Sequence, residues 1–154
     1  MDWGTAASTL LGAGIGLGAT FVADTARARR GRRERWAEQR RQLYADYLAA
    51  LARVADDLHA IARHPDRADL VVRASDAWRA SPAYGLRYQM TLDAPAGLCD
   101  LSDDCFRRLR DLRGIVARGA PTRSPELVTA ATAYDESLAA LRTAMRADLA
   151  AERS

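Results

Sequence analysis

An all-α fold, with one N-terminal transmembrane helix followed by an antiparallel four-helix bundle, is predicted by three features of the 154-residue sequence. Thirty-three residues are Ala and only two are Phe, a bias toward helices and away from sheets. Residues Trp3 to Ala23 form a run of 21 without a charge. From Glu34 onward, apolar residues recur in steps of three and four, the spacing of helices that each bury one stripe. A chain of 16.8 kDa holds one domain and a short extra element, which excludes large multidomain enzymes, and 49% apolar content excludes general disorder.

The uncharged run exceeds the roughly 20 residues that a helix needs to cross a hydrocarbon core of about 30 Å. Its apolar content comes from Leu10, Leu11, Ile15, Leu17, Phe21 and Val22, diluted by five Gly. Those glycines disfavour a buried soluble helix but are common where membrane helices touch. Gly4, Ser8, Gly12, Gly16 and Thr20 recur every four residues, so small side chains line one face on which two spans could associate as a homo-oligomer. A cleaved signal peptide would place positive charge before the apolar run, whereas here it follows.

Between Arg27 and Arg41 stand eight arginines against Glu34 and Glu38, a local charge of +6 within a chain of net +3. All 23 basic residues of the protein are Arg. Basic residues beside a span stay on the cytoplasmic side, which predicts a single-pass cell-membrane protein with its N-terminus outside and its body in the cytoplasm. Arg27, Arg29, Arg30, Arg32, Arg33 and Arg35 then set topology and touch anionic lipid head groups. Contact with nucleic acid is the lesser reading of this block, since Trp36 alone offers bases a stacking surface nearby. The chain divides accordingly into an anchor at 1–26, a basic juxtamembrane segment at 27–41 and a helical body at 34–154 that overlaps it.

The body is read as four coiled-coil-like helices with short links. In the first, Trp36, Leu43, Tyr47, Leu51, Val54, Leu58 and Ile61 form the seam, with Arg40 as its one polar interruption. His64-Pro65 stops it, and Asp66 caps a second segment running to Leu92 with a kink or restart at Ser81-Pro82. Leu86, Tyr88, Met90 and Leu92 alternate with polar residues, a strand-like period, but no second strand exists to pair with them, so the stretch is assigned as helix. Asp93-Ala94-Pro95 restarts a third helix with Leu98, Leu101, Cys105, Leu109, Leu112 and Val116 on one seam, ending at Gly119. Ser124-Pro125-Glu126 opens the last, where Leu127, Ala131, Tyr134, Leu138, Leu141 and Met145 continue the pattern.

No catalytic, cofactor-binding or metal-binding residues emerge. Cys99 and Cys105 lie on different faces of one helix, which opposes a disulfide, and without a CxxC pair or nearby His they do not make a zinc site. Asp56 and His59 have the i, i+3 spacing of di-metal bundles, but the second pair such a site requires is missing. Asp57, Asp103-Asp104 and Asp135-Glu136 are neighbours that point apart on a helix and stay solvated. His64-Pro65-Asp66 resembles the HPD loop of J-domain co-chaperones, yet the helix before it carries Asp46, Asp56 and Asp57 against Arg53, and a helix stop with an N-cap accounts for all three residues. The Gly12 to Gly18 series sits inside the apolar run rather than after a strand, so it is no phosphate loop.

A wider resemblance rests on Trp3 followed by Leu10-Leu11-Gly12-Ala13, the Arg-rich stretch, and Arg40-Arg41-Gln42-Leu43-Tyr44-Ala45-Asp46-Tyr47-Leu48. In these first 50 or so residues the chain resembles small uncharacterised membrane-anchored helical proteins of actinobacteria, some labelled KilB-like. The resemblance implies a single-span membrane protein and brings no active-site residues. The expectation is a membrane-anchored helical interaction or scaffold protein without catalytic activity, bound to membrane lipid and to an unidentified protein partner. The alternative is an accessory or regulatory factor of DNA transfer whose Arg-rich segment contacts nucleic acid.

Overall fold

A computed structural model describes residues 31, 35–64 and 68–151. It divides the chain into two units, Met1–Gln39 and Arg40–Ser154, and the second holds the fold described here. The expected span and most of the basic block lie outside the described residues. Among the described residues there is no strand, and no helix is long and apolar enough to cross a membrane.

Among the described residues five helices contribute to the second unit: α1 (35–63, which enters this unit at Arg40), α2 (Leu70–Ala80), α3 (Ala83–Asp93), α4 (Ala96–Ala117) and α5 (Pro125–Ala151). Their directions follow from side-chain bonds between distant positions. Tyr44 near the start of α1 bonds Asp148 near the end of α5, while Thr122 before α5 donates to the Ala62 carbonyl at the end of α1, so α1 and α5 are antiparallel. Ser81, after α2, donates to the Ala50 carbonyl, and Ser102, early in α4, donates to Tyr47, so the α2–α3 arm runs down from the end of α1 and α4 runs up beside α1. The result is an up-down-up-down bundle whose second member is broken into α2 and α3.

The core forms because each helix carries apolar residues at three- and four-residue steps. In α1 Leu43, Tyr44, Tyr47, Ala50, Leu51, Val54, Ala55, Leu58 and Ile61 are buried, while Arg41, Asp46, Arg53 and Asp57 face solvent. Helix α4 contributes Leu98, Cys105, Phe106, Leu109, Leu112, Ile115 and Val116, and α5 contributes Leu127, Tyr134, Leu141 and Met145. A fully buried Leu such as Leu109 stabilises the fold by about 1.5–3 kcal/mol relative to an exposed one. Phe106 and Ile115 belong to the α4 stripe beyond the predicted seam, and Leu101 is only half-buried.

Trp36 corrects the predicted first seam: it is 56% exposed. The stripe is already interrupted four residues later by Arg40, whose guanidinium binds the Asp148 carboxylate at 3.3 Å. Apolar packing therefore begins at Leu43. A second correction concerns α2, which starts at Leu70 rather than at Asp66. Its N-cap is Asp69, in the left-handed region at φ 56° and without a side-chain capping bond. Asp66 lies outside the described residues.

Other boundaries follow local chemistry. The Ser81 hydroxyl accepts the Ala83 N–H at 3.2 Å, and Pro82, with no N–H to lose, opens the turn into α3. Likewise Ser124 accepts the Leu127 N–H at 3.3 Å, with Pro125 as the first residue of α5. Helix α4 ends when Gly119 takes φ 76°: its N–H bonds Val116 O at 2.9 Å and the Ala120 N–H bonds Ile115 O at 3.4 Å, the paired bonds of a Schellman stop. The 83–93 stretch is helical, as its lack of a partner strand required.

Candidate functional site

Most side chains singled out for function in the sequence, Gly4, Ser8, Gly12, Gly16, Thr20 and Arg27, Arg29, Arg30, Arg32, Arg33, lie outside the described residues, as does the Pro65-Asp66 pair. Arg35 is described, helical and exposed. Asp56 is exposed and His59 half-buried, and among the described residues no group of three His, Cys, Asp or Glu side chains is placed to hold a metal. Asp103 and Asp104 are engaged by arginines, the first by Arg87 at 2.9 Å and the second by Arg107.

Two grooves flank α5. One, of about 440 Å³, is lined by Arg108, Asp111, Ile115, Glu126 and Ala130. The other, of about 210 Å³ between α1 and α5, has His59, Arg63, Thr132 and Asp135 on its walls. Thr122, also at its edge, donates its hydroxyl to the Ala62 carbonyl at 2.7 Å.

Inside the bundle lies a small polar cluster. Ser102 donates to the Tyr47 hydroxyl at 2.9 Å, and burial pushes that phenol up from its ordinary value near 10 to about 12. Burial likewise pushes the Cys105 thiol up to about 11, an effect that the nearby Ser137 hydroxyl partly offsets. The Tyr134 hydroxyl is buried without a hydrogen-bond partner among the described residues, and burial raises its pKa too. Groups held neutral in this way pack; they do not supply a nucleophile at neutral pH.

The unusual surface is on α3. Its exposed residues are Tyr84, Gly85, Tyr88, Gln89, Thr91 and Leu92, none of them charged. At 3.6 residues per turn these six fall within an arc of about 160°. Tyr84 and Tyr88 are each 53% exposed and Leu92 is 84% exposed. The two tyrosine rings meet edge-on at 5.0 Å and their hydroxyls share a hydrogen bond of 3.1 Å, the main cause of the raised Tyr84 pKa.

Arginines and rings secure this face from beneath. The Arg87 guanidinium lies 4.7 Å from the Phe106 ring centre and 5.8 and 5.7 Å from those of Tyr84 and Tyr88, while its Nη1 donates to Asp103. Phe106 also meets Trp78 at 4.8 Å, and Arg113 stands 5.1 Å over Trp78. Each cation–ring contact contributes about 0.5–1 kcal/mol at an exposed site. Tyr84 and Tyr88 are therefore held in place rather than left to wave in solvent.

Gly85 lies on this face and, like Gly31 and Gly97, stands in open space. A Cβ built there would meet nothing within 4 Å, so packing inside the protomer does not call for a glycine, which costs up to about 1 kcal/mol relative to Ala in a helix. The strand-like alternation noted in the sequence has a helical origin. Two i, i+4 series interleave here: Leu86 and Met90 turn inward, while Tyr84, Tyr88 and Leu92 turn outward. No family model matches this chain, and neither does any curated protein or solved structure.

Proposed function

We propose that this chain is a membrane-anchored helical interaction module without catalytic activity, held to lipid by Trp3 to Ala23 and presenting its bundle to a protein. The observation that carries the reading is the uncharged aromatic face of α3 on a surface otherwise dense in Arg, Asp and Glu. Depletion of charge with enrichment of Tyr marks the centre of protein interfaces, and the flanking Arg87 and Asp93 make a polar rim. The resemblance of the first 50 residues to anchored actinobacterial proteins supports the membrane half of the reading, as does the arginine block after the uncharged run.

The test combines carbonate-washed membrane fractionation of a C-terminally tagged chain with a benzophenone amino acid placed at position 88, or at 142 on α5 as control. A pelleted tag protected from protease in spheroplasts, with an adduct from 88 and none from 142, is the expected result. A soluble chain overturns the anchor, a digested tag overturns the orientation, and silence at 88 overturns the interaction face.

A further inference from the structure

We infer that the partner of the α3 face is a second copy of this chain, paired through an antiparallel, two-fold contact of α3 on α3. The inference rests on the anchored-module reading above, which brings copies together on one surface. The first support is self-complementary shape. Leu92 projects furthest from the face, and Gly85, seven residues away and on the same side, leaves open space where a side chain would stand. In an antiparallel pair centred between Tyr88 and Gln89, each Leu92 comes to lie over Gly85 of the partner subunit. Projection meets recess twice, as a two-fold contact requires. The glycine that the protomer itself does not need thereby acquires a steric role.

Charge supports the same pairing. The start of α3 is the positive end of the helix, and its last residue is Asp93; the nearby Arg79 on α2 is already paired with Asp76 at 3.8 Å and adds nothing to that end. Antiparallel packing sets Asp93 of the partner subunit beside that positive end, whereas parallel packing would bring like ends together. The six residues offer on the order of 500 Å² per copy, the low end of specific interfaces. Such a contact is weak between free copies and gains from the high effective concentration of a shared membrane tether.

The test uses the full chain in intact cells, with the benzophenone amino acid at position 89, in the parent and in Gly85→Leu and Leu92→Glu backgrounds. An adduct of twice the chain mass is expected, reduced at least tenfold by either substitution while each variant keeps the parent's helical circular dichroism and melting profile. Gly85→Leu is built to fold, because its added Cβ meets no atom of the protomer. A two-chain adduct that survives both substitutions overturns the α3 contact. An adduct with a different protein overturns the second-copy inference and leaves the interaction-module reading standing. No adduct at either 88 or 89 overturns both.

Discussion

Tyr44 donates its phenolic hydrogen to Asp148 Oδ2 at 2.8 Å, joining the beginning of α1 to the end of α5 across 104 residues of sequence. The same oxygen accepts from Arg40 at 3.3 Å, and the Arg40 and Asp148 side chains are only 20% and 15% exposed. This end of the bundle is thus closed by a charge-assisted pair of bonds where the apolar stripe of α1 runs out. Hydrogen bonds to a charged group contribute about 1.5–3 kcal/mol when shielded in this way. Asp148→Ala is expected to lower unfolding stability by about 2 kcal/mol in a denaturant titration, and Asp148→Asn by less, since the amide oxygen still accepts from Tyr44. Equal losses in the two variants would count against a role for the carboxylate charge.

The two core tyrosines are expected to respond differently to loss of their hydroxyls. Tyr47 is bonded to Ser102, so Tyr47→Phe removes a satisfied pair and leaves the Ser102 hydroxyl buried, a loss of about 1–2 kcal/mol. Tyr134→Phe removes a buried hydroxyl that has no hydrogen-bond partner among the described residues, and is expected to leave stability unchanged or raise it by up to about 1 kcal/mol. Thermal melts check this: a melting point lowered in Tyr47→Phe and not lowered in Tyr134→Phe is the expected outcome.

The same cluster sets an alkaline limit. Cys105 is raised by burial from 9.0 to about 11 and Tyr47 from 10.0 to about 12, so both are protonated in folded and unfolded chains alike below pH 9 and their contribution is complete there. Above that, the unfolded chain releases protons that the folded core retains, and stability falls as pH rises through about 9 to 12. Each group accounts for about 2–3 kcal/mol by the top of its window. Unfolding midpoints in urea should stay level from neutral pH to about 9 and then decline. A Cys105→Ala, Tyr47→Phe double variant, although weaker at neutral pH, should show a shallower decline.

The thiols differ in access. Cys105 is fully buried, whereas Cys99 is half-buried, with its sulfur 3.7 Å from the carbonyl oxygens of Met90 and Ala94. Burial, with Asp103 and Asp100 nearby, raises the Cys99 pKa, so it should react slowly at neutral pH. Mass spectrometry after exposure to an alkylating reagent is expected to find one label per native chain, on Cys99, and two after denaturation. Labelling of native Cys105 at a comparable rate would refute the packing of α4 against α5.

Capping residues and helix periodicity made most of the bundle legible in sequence. Ser81-Pro82, Pro95, Gly119 and Ser124-Pro125 mark its turns because each is a local solution to unpaired backbone groups, written in a few adjacent residues. Partnerships between distant positions were not legible in this way. Arg40 read as an interruption because its counterion lies 108 residues away, and Trp36 read as core because periodicity does not say where along a helix the partner helices stop. The stretch over α3 reads as helix despite its alternation, which arises because two helical stripes offset by two residues imitate a strand; what the letters do not show is that one of those stripes faces outward.

The break between α2 and α3 also sets the rotational phase of this part of the bundle. Ala74 and Ala83 are both buried, yet nine residues of uninterrupted helix would carry them about 180° apart, and Met90 would stand about 160° from Ala74. A continuous rod could send only one of these sides to the core. Ser81-Pro82 resets the angle, and because α3 carries apolar residues on two sides, that reset decides which side is enclosed and which meets solvent. One residue inserted within α3 ahead of Met90 would swing Met90 away from the core by about 100°.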